Sequence, residues 1–468
     1  MTLSSTKKLH LGVSYSDFLP TEAPSQKAGA FTRDAFQRPA KTQNEEDDKH
    51  KFERCDKNAA IQSGKKPFSD RFCQFAAPIS FGFYNEGLAT VDLDNPGSED
   101  HALRSLTARD GVSIPTSQLS LAREAEPNSV GFGFDLMAGN DAENLKPGDP
   151  LLNMPYAYMR QAYFSFLLQG NPKNGTFYGK IGLFDTDVGI ESNTNTLNPF
   201  YSRSLQWMTD PVNHSLFRGA WTHANEQFSV LFGLNNTWNP SLKPYITSRL
   251  GLSPLNFGGT LGISASFLDG ALTYSAIFMA GSNNFEDPST CNGEAEESSG
   301  SGCQEKPYAM TFYHLASTYS PVEKPWAFAV ELDHGRQRQP DAPTGRWYTA
   351  SAYFRYFDNK VTNLETALRF TVLVDPDTFI TGQHQTITSG TVALHWSWLN
   401  FIMKHTSKAT LFDGNGENGE SGWKSSIGTE LRVDGANGRV SDTECPLGGP
   451  HCQILPTLTG GLRVFYEF

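Results

Sequence analysis

The chain has 468 residues, 38% hydrophobic and 12% aromatic, with 42 glycines, 33 phenylalanines, 16 tyrosines and a formal net charge of -12. So acidic a balance offers no basic face for counterion release, which excludes nucleic acid as a partner. No run of about 18 apolar residues occurs, so no helix is expected to cross a membrane; strands of about 10 alternating residues, only half of which touch lipid, remain open.

Residues 1–75 are polar and mixed in charge, with NEEDDKHKFERCDK at their centre, and are expected to form a flexible or loosely folded extension. The opening MTLSSTKKLH carries no apolar segment with a small-residue cleavage site, so an exported chain would begin here at or near a mature N-terminus, its signal peptide removed. From ISFGFYNEGL at position 79 the texture changes to short alternating segments, and residues 76–468 are expected to be one domain.

The alternation can be followed along the chain. Ala162, Phe164 and Phe166 oppose Gln161, Tyr163 and Ser165; Phe177, Ile181 and Leu183 oppose Tyr178 and Lys180; Phe217, Gly219 and Trp221 oppose Arg218, Ala220 and Thr222. Further on, Trp326, Phe328, Val330 and Leu332 oppose Ala327, Ala329, Glu331 and Asp333, and Tyr348, Phe354 and Tyr356 oppose Trp347, Thr349, Ser351 and Arg355. Leu364, Leu368, Phe370 and Val372 oppose Asn363, Glu365 and Arg369. A period of two puts alternate residues on opposite faces of a strand, so each segment has one greasy and one polar face.

Roughly 16 such segments, within about 14 to 18, are too many for one sandwich, and their apolar faces are rich in aromatics. Short turns such as SFLDGAL and YFDNKV alternate with long polar connections at 282–307 and 412–454, and residues 422–433 read as either a strand or a hairpin within a loop. The pattern predicts an all-β, transmembrane antiparallel barrel with short periplasmic turns and long extracellular loops in a bacterial outer membrane. Its natural surroundings would be outer-membrane lipid and lipopolysaccharide, with the oligomeric state open. The ending LRVFYEF sets Leu462, Val464, Tyr466 and Phe468 against Arg463, Phe465 and Glu467, and resembles the terminal signal read by the bacterial barrel-assembly machinery.

Charge facing lipid at mid-depth costs about 2–4 kcal/mol for Arg or Lys, so the charged members of the polar faces should face a lumen. These are Lys180, Arg218, Glu331, Asp333, Arg355, Glu365, Arg369, Lys404, Arg463 and Glu467. Either they tune the selectivity of a water-filled pore, with a slight lean toward anions, or they brace the wall as ion pairs. On the first reading, Arg369 or Arg355 should exchange for Glu without harm to folding, whereas Phe370→Arg should impair insertion. The cysteines fall in sequence-local pairs, Cys55 with Cys73, Cys291 with Cys303 and Cys445 with Cys452, which suits loop disulfides in an oxidising compartment.

Other chemistry is weakly signalled. His214 beside Ser215 would point to the opposite face of a strand, and His395 with Ser397 has no recognisable acid or oxyanion element, so catalysis is not expected. FDGNGENGESGW at 412 places Lys424 where a calcium loop needs its closing Glu, and GFGFDLMAG is followed by no helical pattern, so neither a metal nor a cofactor is expected.

Several stretches carry a family likeness: ISFGFYNEGLATVDLDNP at 79, VGFGFDLMAGNDAE at 130, RQAYFSF at 160, GLFDTDVGIES at 182, NPFYSRSLQW at 198 and DPVNHSLFRGAW at 210. Together they resemble the OmpL-like β-barrel porin family of Gram-negative bacteria, whose pattern runs like GKFDTPIGYE, NYSRSLLF and P-x-x-H-T-G-V-R. The chain departs from it at Leu183, at Asp187 and at SLFR, while order and spacing hold. The resemblance covers 79–281 and implies a pore passing small hydrophilic solutes or ions; a structural or adhesion barrel with a plugged lumen is the alternative. It also draws attention to Asp185, Tyr201 and Arg203, which either narrow the lumen from an inward loop or merely hold that loop together.

Overall fold

The computed structural model describes residues 79–92, 111–123, 125, 130–139, 141–142, 157–169, 175–192, 198–211, 213–224, 227–236, 257–286, 305–321, 324–339, 342–358, 364–377, 380, 384–396, 422–436 and 455–467. The 1–75 segment, all six cysteines, Lys404, Phe468 and the 412–421 stretch lie outside the described residues.

Among the described residues, sixteen strands form one closed antiparallel barrel. In chain order they are β1 (Ser80–Asp92), β2 (Gly111–Arg123), β3 (Val130–Ala138), β4 (Ala157–Gln169), β5 (Thr176–Asp185), β6 (Asn213–Thr222), β7 (Phe228–Asn236) and β8 (Phe257–Phe267). The second half comprises β9 (Leu272–Glu286), β10 (Glu305–Tyr319), β11 (Trp326–Gln339), β12 (Ala342–Asp358), β13 (Leu364–Asp375), β14 (Gln385–Trp396), β15 (Gly422–Ala436) and β16 (Leu455–Glu467). Each strand pairs with its sequence neighbours, and β1 closes on β16 from Gly82↔Glu467 to Asp92↔Thr457, so the terminal strands leave no unpaired edge.

The sequence pattern explains why the barrel closes with these faces. Phe164, Ile181, Leu332 and Phe370 point outward and are more than half exposed to what would be lipid, while Lys180, Arg218, Glu331, Asp333, Arg369 and Arg463 are buried on the inner side. One predicted partner of Ile181 breaks the rule: Leu183 is buried, and Gly182 before it has φ +135°, which re-aims the end of β5.

Connections 124–129, 170–175, 223–227, 268–271, 320–325 and 359–363 define a short-turn end, the end at which β1 begins and β16 finishes. At the opposite end lie 93–110, 139–156, 186–212, 237–256, 287–304, 376–384 and 437–454. The alternation of short and long has two exceptions: 340–341 is tight at the long end, and 397–421 is long at the short end. The stretch 412–454 is not one connection, because β15 is a full strand paired on both sides. Its alternating ELRVD segment supplies inward charges, so it belongs to the wall.

Candidate functional site

The β5–β6 connection, residues 186–212, folds inward as a strap. At its root, Gly182 on β5 faces Leu216 on β6 across the sheet, and both have positive φ, +135° and +100°. A leucine in that region is strained, as chains at functional sites often are. Thr186 lies 3.0 Å from His214 Nε2 and accepts the Val188 amide at 3.1 Å, while Asp187 pairs with Arg218 on the wall. The chain then turns at Gly189, whose φ of +83° favours glycine and where a Cβ would lie 2.6 Å from the Asp210 carboxylate of the other limb.

Beyond the turn the strap is held by charge. Ile190 donates its amide to Glu331 Oε2 at 2.7 Å. Glu191 pairs with Arg369 at 2.6 Å and also accepts the Ser204 amide at 2.9 Å. Asn198 closes a small loop by bonding Ser192 in both directions, at 2.8 and 2.7 Å.

From Asn198 to Arg203 the wall grips the backbone itself. Arg463 donates to the carbonyls of Asn198 and Phe200 at 2.8 and 2.9 Å, His395 Nε2 meets the Pro199 carbonyl at 2.7 Å, Arg369 donates to that of Ser202 at 2.9 Å, and Arg432 to that of Arg203 at 2.7 Å. Glu430 accepts the amides of Tyr201 and Ser202 at 2.6 and 3.2 Å. A loop buried inside a barrel must satisfy its backbone polar groups without a strand partner, and here arginine, histidine and glutamate side chains of the wall do so.

Rings seat the same segment. Arg463 lies 4.4 Å over the Tyr201 ring, Arg369 4.5 Å over Phe200, and Tyr201 donates its hydroxyl to the Gly461 carbonyl at 3.0 Å. A Cβ on Gly461 would come within 2.5 Å of the Tyr201 ring, so this close approach requires glycine. Burial is the main cause that raises the Tyr201 phenol above its ordinary value, and burial likewise lowers Arg203, against the opposing charge of Glu191. Apolar packing completes the seat: Val188 and Leu205 join Leu231, Met279, Phe312 and Trp347, while Ile190 and Phe200 join Ala327, Ala329, Tyr353 and Ala367.

The sequence-predicted residues therefore separate. Arg369, Arg463 and Glu331 contact the strap's backbone, Asp333 accepts from Gln206 of the strap, and Arg218 meets Asp187. Arg355 and Glu365 pair with each other on the wall, near the short-turn end. Lys180 stands directly opposite Arg218, 4.6 Å over the Tyr163 ring. Glu467 pairs its backbone with Gly82 and Gly422, and its side chain lies outside the described residues. Tyr201 and Arg203 lie on the strap, but Asp185 does not: it is the last residue of β5 and pairs with Arg160. The expectation that Arg369 exchanges freely for Glu is corrected, because its guanidinium is buried against Glu191 and Ser202.

Sequence reasoning misses Glu430 and Arg432 because 422–433 reads as either a strand or a hairpin within a loop, although ELRVD alternates as a strand does. It misses Glu191, Glu86 and the Asp135–Arg160 pair for another reason. Their partners are distant in sequence, and nothing local marks them.

A closed antiparallel barrel, apolar outside and polar within, with a loop folded across its interior, is a channel of the bacterial outer membrane. Residues 78–419 match the family described as "Putative beta-barrel porin-2, OmpL-like", and the chain belongs to that family. As a porin it is a passive channel. No curated protein sequence matches the chain. Among solved structures it is similar to a loop L8 deletion mutant of Vibrio cholerae OmpT, at 11% identity over 84% of this chain and 99% of that one, with a TM-score of 0.47. It is likewise similar to the outer membrane channel DcaP of Acinetobacter baumannii (9%, 83% and 97%, 0.47) and to Pseudomonas putida OprB (10%, 85% and 96%, 0.48).

Proposed function

We propose that the 186–212 strap is the constriction of this pore, and that the inward charges act mainly by fixing the strap and only secondarily by selecting ions. The observation that carries this reading is the capture of the carbonyls of Asn198, Pro199, Phe200, Ser202 and Arg203 by wall side chains. A strap held through its main chain keeps one position, and a fixed constriction limits passage by size. Small ions and solutes pass; larger ones do not.

Planar-bilayer recording of refolded protein tests it. The wild type should give small, steady ohmic conductance, and Glu430→Gln, which weakens the grip on the Tyr201 and Ser202 amides, should raise that conductance or make it fluctuate. Equal conductance in both would refute the constriction. A second reading, a barrel whose lumen is plugged and whose loops bind a partner, is favoured by the near-complete burial of Glu331, Arg369 and Arg463. A folded wild type that never conducts would establish it.

The barrel is read here as non-catalytic. His214 spends Nε2 on Thr186, and His395 spends Nε2 on the Pro199 carbonyl, which favours structural roles for both. Residues 76–468 are proposed as the barrel domain and 1–75 as a separate extension. Lipopolysaccharide, the assembly machinery acting on the last strand, and further copies of the chain are the proposed partners. Disulfides within each local cysteine pair belong to the same proposal.

A further inference from the structure

The outward face of β11 crosses the membrane in a readable order. From the short-turn end it presents Trp326, Phe328, Val330, Leu332, His334, Arg336 and Arg338. The first four make an aromatic and aliphatic belt. His334 then sits in a ladder of rings across three strands, stacked 5.9 Å from Tyr313 of β10 and 4.6 Å from Tyr348 of β12, with interplanar angles of 10° and 14°. Phe278 of β9 extends the ladder, 5.0 Å from Tyr313. Rings of this kind mark the level where the apolar core of a bilayer gives way to its headgroups.

Immediately beyond the ladder, at the long-loop end, the surface turns basic. Arg336 pairs directly with Arg346 of β12 in the sheet register, and Arg338 follows one outward position further on; all three are exposed. Like charges directly opposite on one face of a sheet destabilise it. Among the described residues Asp377 is the carboxylate that meets this trio, and it is engaged with Arg346, accepting from Nε at 2.6 Å and from Nη2 at 3.2 Å. The trio thus exceeds its described counter-charge, in a chain whose net charge is -12.

We infer that Arg336, Arg338 and Arg346 form a seat on the outside of the barrel for the phosphate of an anionic lipid headgroup in the outer leaflet. Depth selects this occupant. The seat adjoins the apolar belt, where headgroups lie, and planar guanidinium groups match phosphate oxygens in paired hydrogen bonds. An anion between Arg336 and Arg346 would also remove the repulsion that their register creates. The inference rests on the outer-membrane barrel and not on the strap, so it stands whether or not the lumen conducts.

The test uses the full chain reconstituted in phosphatidylethanolamine vesicles doped with bisphosphorylated lipid A or with its dephosphorylated form. After detergent extraction, native mass spectrometry counts retained lipid. Wild type should retain the phosphorylated form about tenfold better, and Arg336→Gln/Arg338→Gln/Arg346→Gln should lose that preference while folding normally. Equal retention of both lipids by wild type would overturn the inference, even if the triple variant fails to fold. Unchanged preference in a folded triple variant would overturn it too, as would inorganic phosphate displacing the preference in full, which would mark a free-anion site. Loss of an oligomer in the variant, with lipid preference intact, would assign the trio to a contact between copies.

Discussion

Two parts of the strap are held by opposite means. Asn198 to Arg203 are gripped through the main chain by charged wall residues, whereas Val188 and Leu205 are held by side-chain burial against Leu231, Met279, Phe312 and Trp347. The first arrangement depends mainly on the wall, with the Phe200 and Tyr201 rings adding to it. The second depends on the strap's own side chains and on the apolar pocket they fill. Position is therefore fixed electrostatically at one point and by shape at another, and the two can be broken separately.

The largest effect should come from reversing the charge at the centre of the main-chain grip. Arg369 meets Glu191, the Ser202 carbonyl and hydroxyl, and Thr391 Oγ1. Arg369→Glu sets a carboxylate against Glu191 and strands both, at about 3–5 kcal/mol, the usual result of leaving a buried charge uncompensated. Urea titration of the heat-modifiable folded band should show the loss. A midpoint unchanged from wild type would mean that Arg369 faces open water.

Next should come the apolar side. Leu205 is fully buried, and Leu205→Ala removes its methyls and leaves a cavity, costing about 2–5 kcal/mol. This change should lower the midpoint equally at acid and at neutral pH. Arg369→Glu should behave otherwise, its cost shrinking as acid protonates one carboxylate of the facing pair and ends their repulsion. Matching pH dependences for the two variants would erase the distinction between the two modes of holding.

What was legible in the sequence follows the same division. The strand count and the inward and outward faces of β11 to β13 come from alternation, while the family motifs draw attention to the segment bearing Tyr201 and Arg203. A period of two is local and survives in any single sequence. Main-chain contacts are neither local nor encoded in the residues that make them: Pro199 gives no sign that His395 will reach its carbonyl, nor Asn198 that Arg463 will. The strap's position is set mostly by the wall. Where the pattern was readable but undecided, as in β15, the residues lost were Glu430 and Arg432, two of the strap's anchors.

The smallest effects should come from trimming single bonds of the grip, and they rank the anchors. Glu430→Gln keeps an acceptor for one amide but removes the carboxylate that serves both Tyr201 and Ser202, so about 1–3 kcal/mol should be lost. Tyr201→Phe removes only the hydroxyl that donates to the Gly461 carbonyl, leaving the ring beneath Arg463, and should cost about 0.5–1.5 kcal/mol. Because the grip on Tyr201 runs through its amide, the phenylalanine variant should keep the wild-type conductance, while Glu430→Gln should not. A double variant closes the comparison. If the two changes are additive, the amide and the hydroxyl are independent anchors; if the pair costs less than the sum, releasing the amide already frees the ring. Should Tyr201→Phe alter conductance as much as Glu430→Gln, the side chain and not the backbone would be what positions the strap.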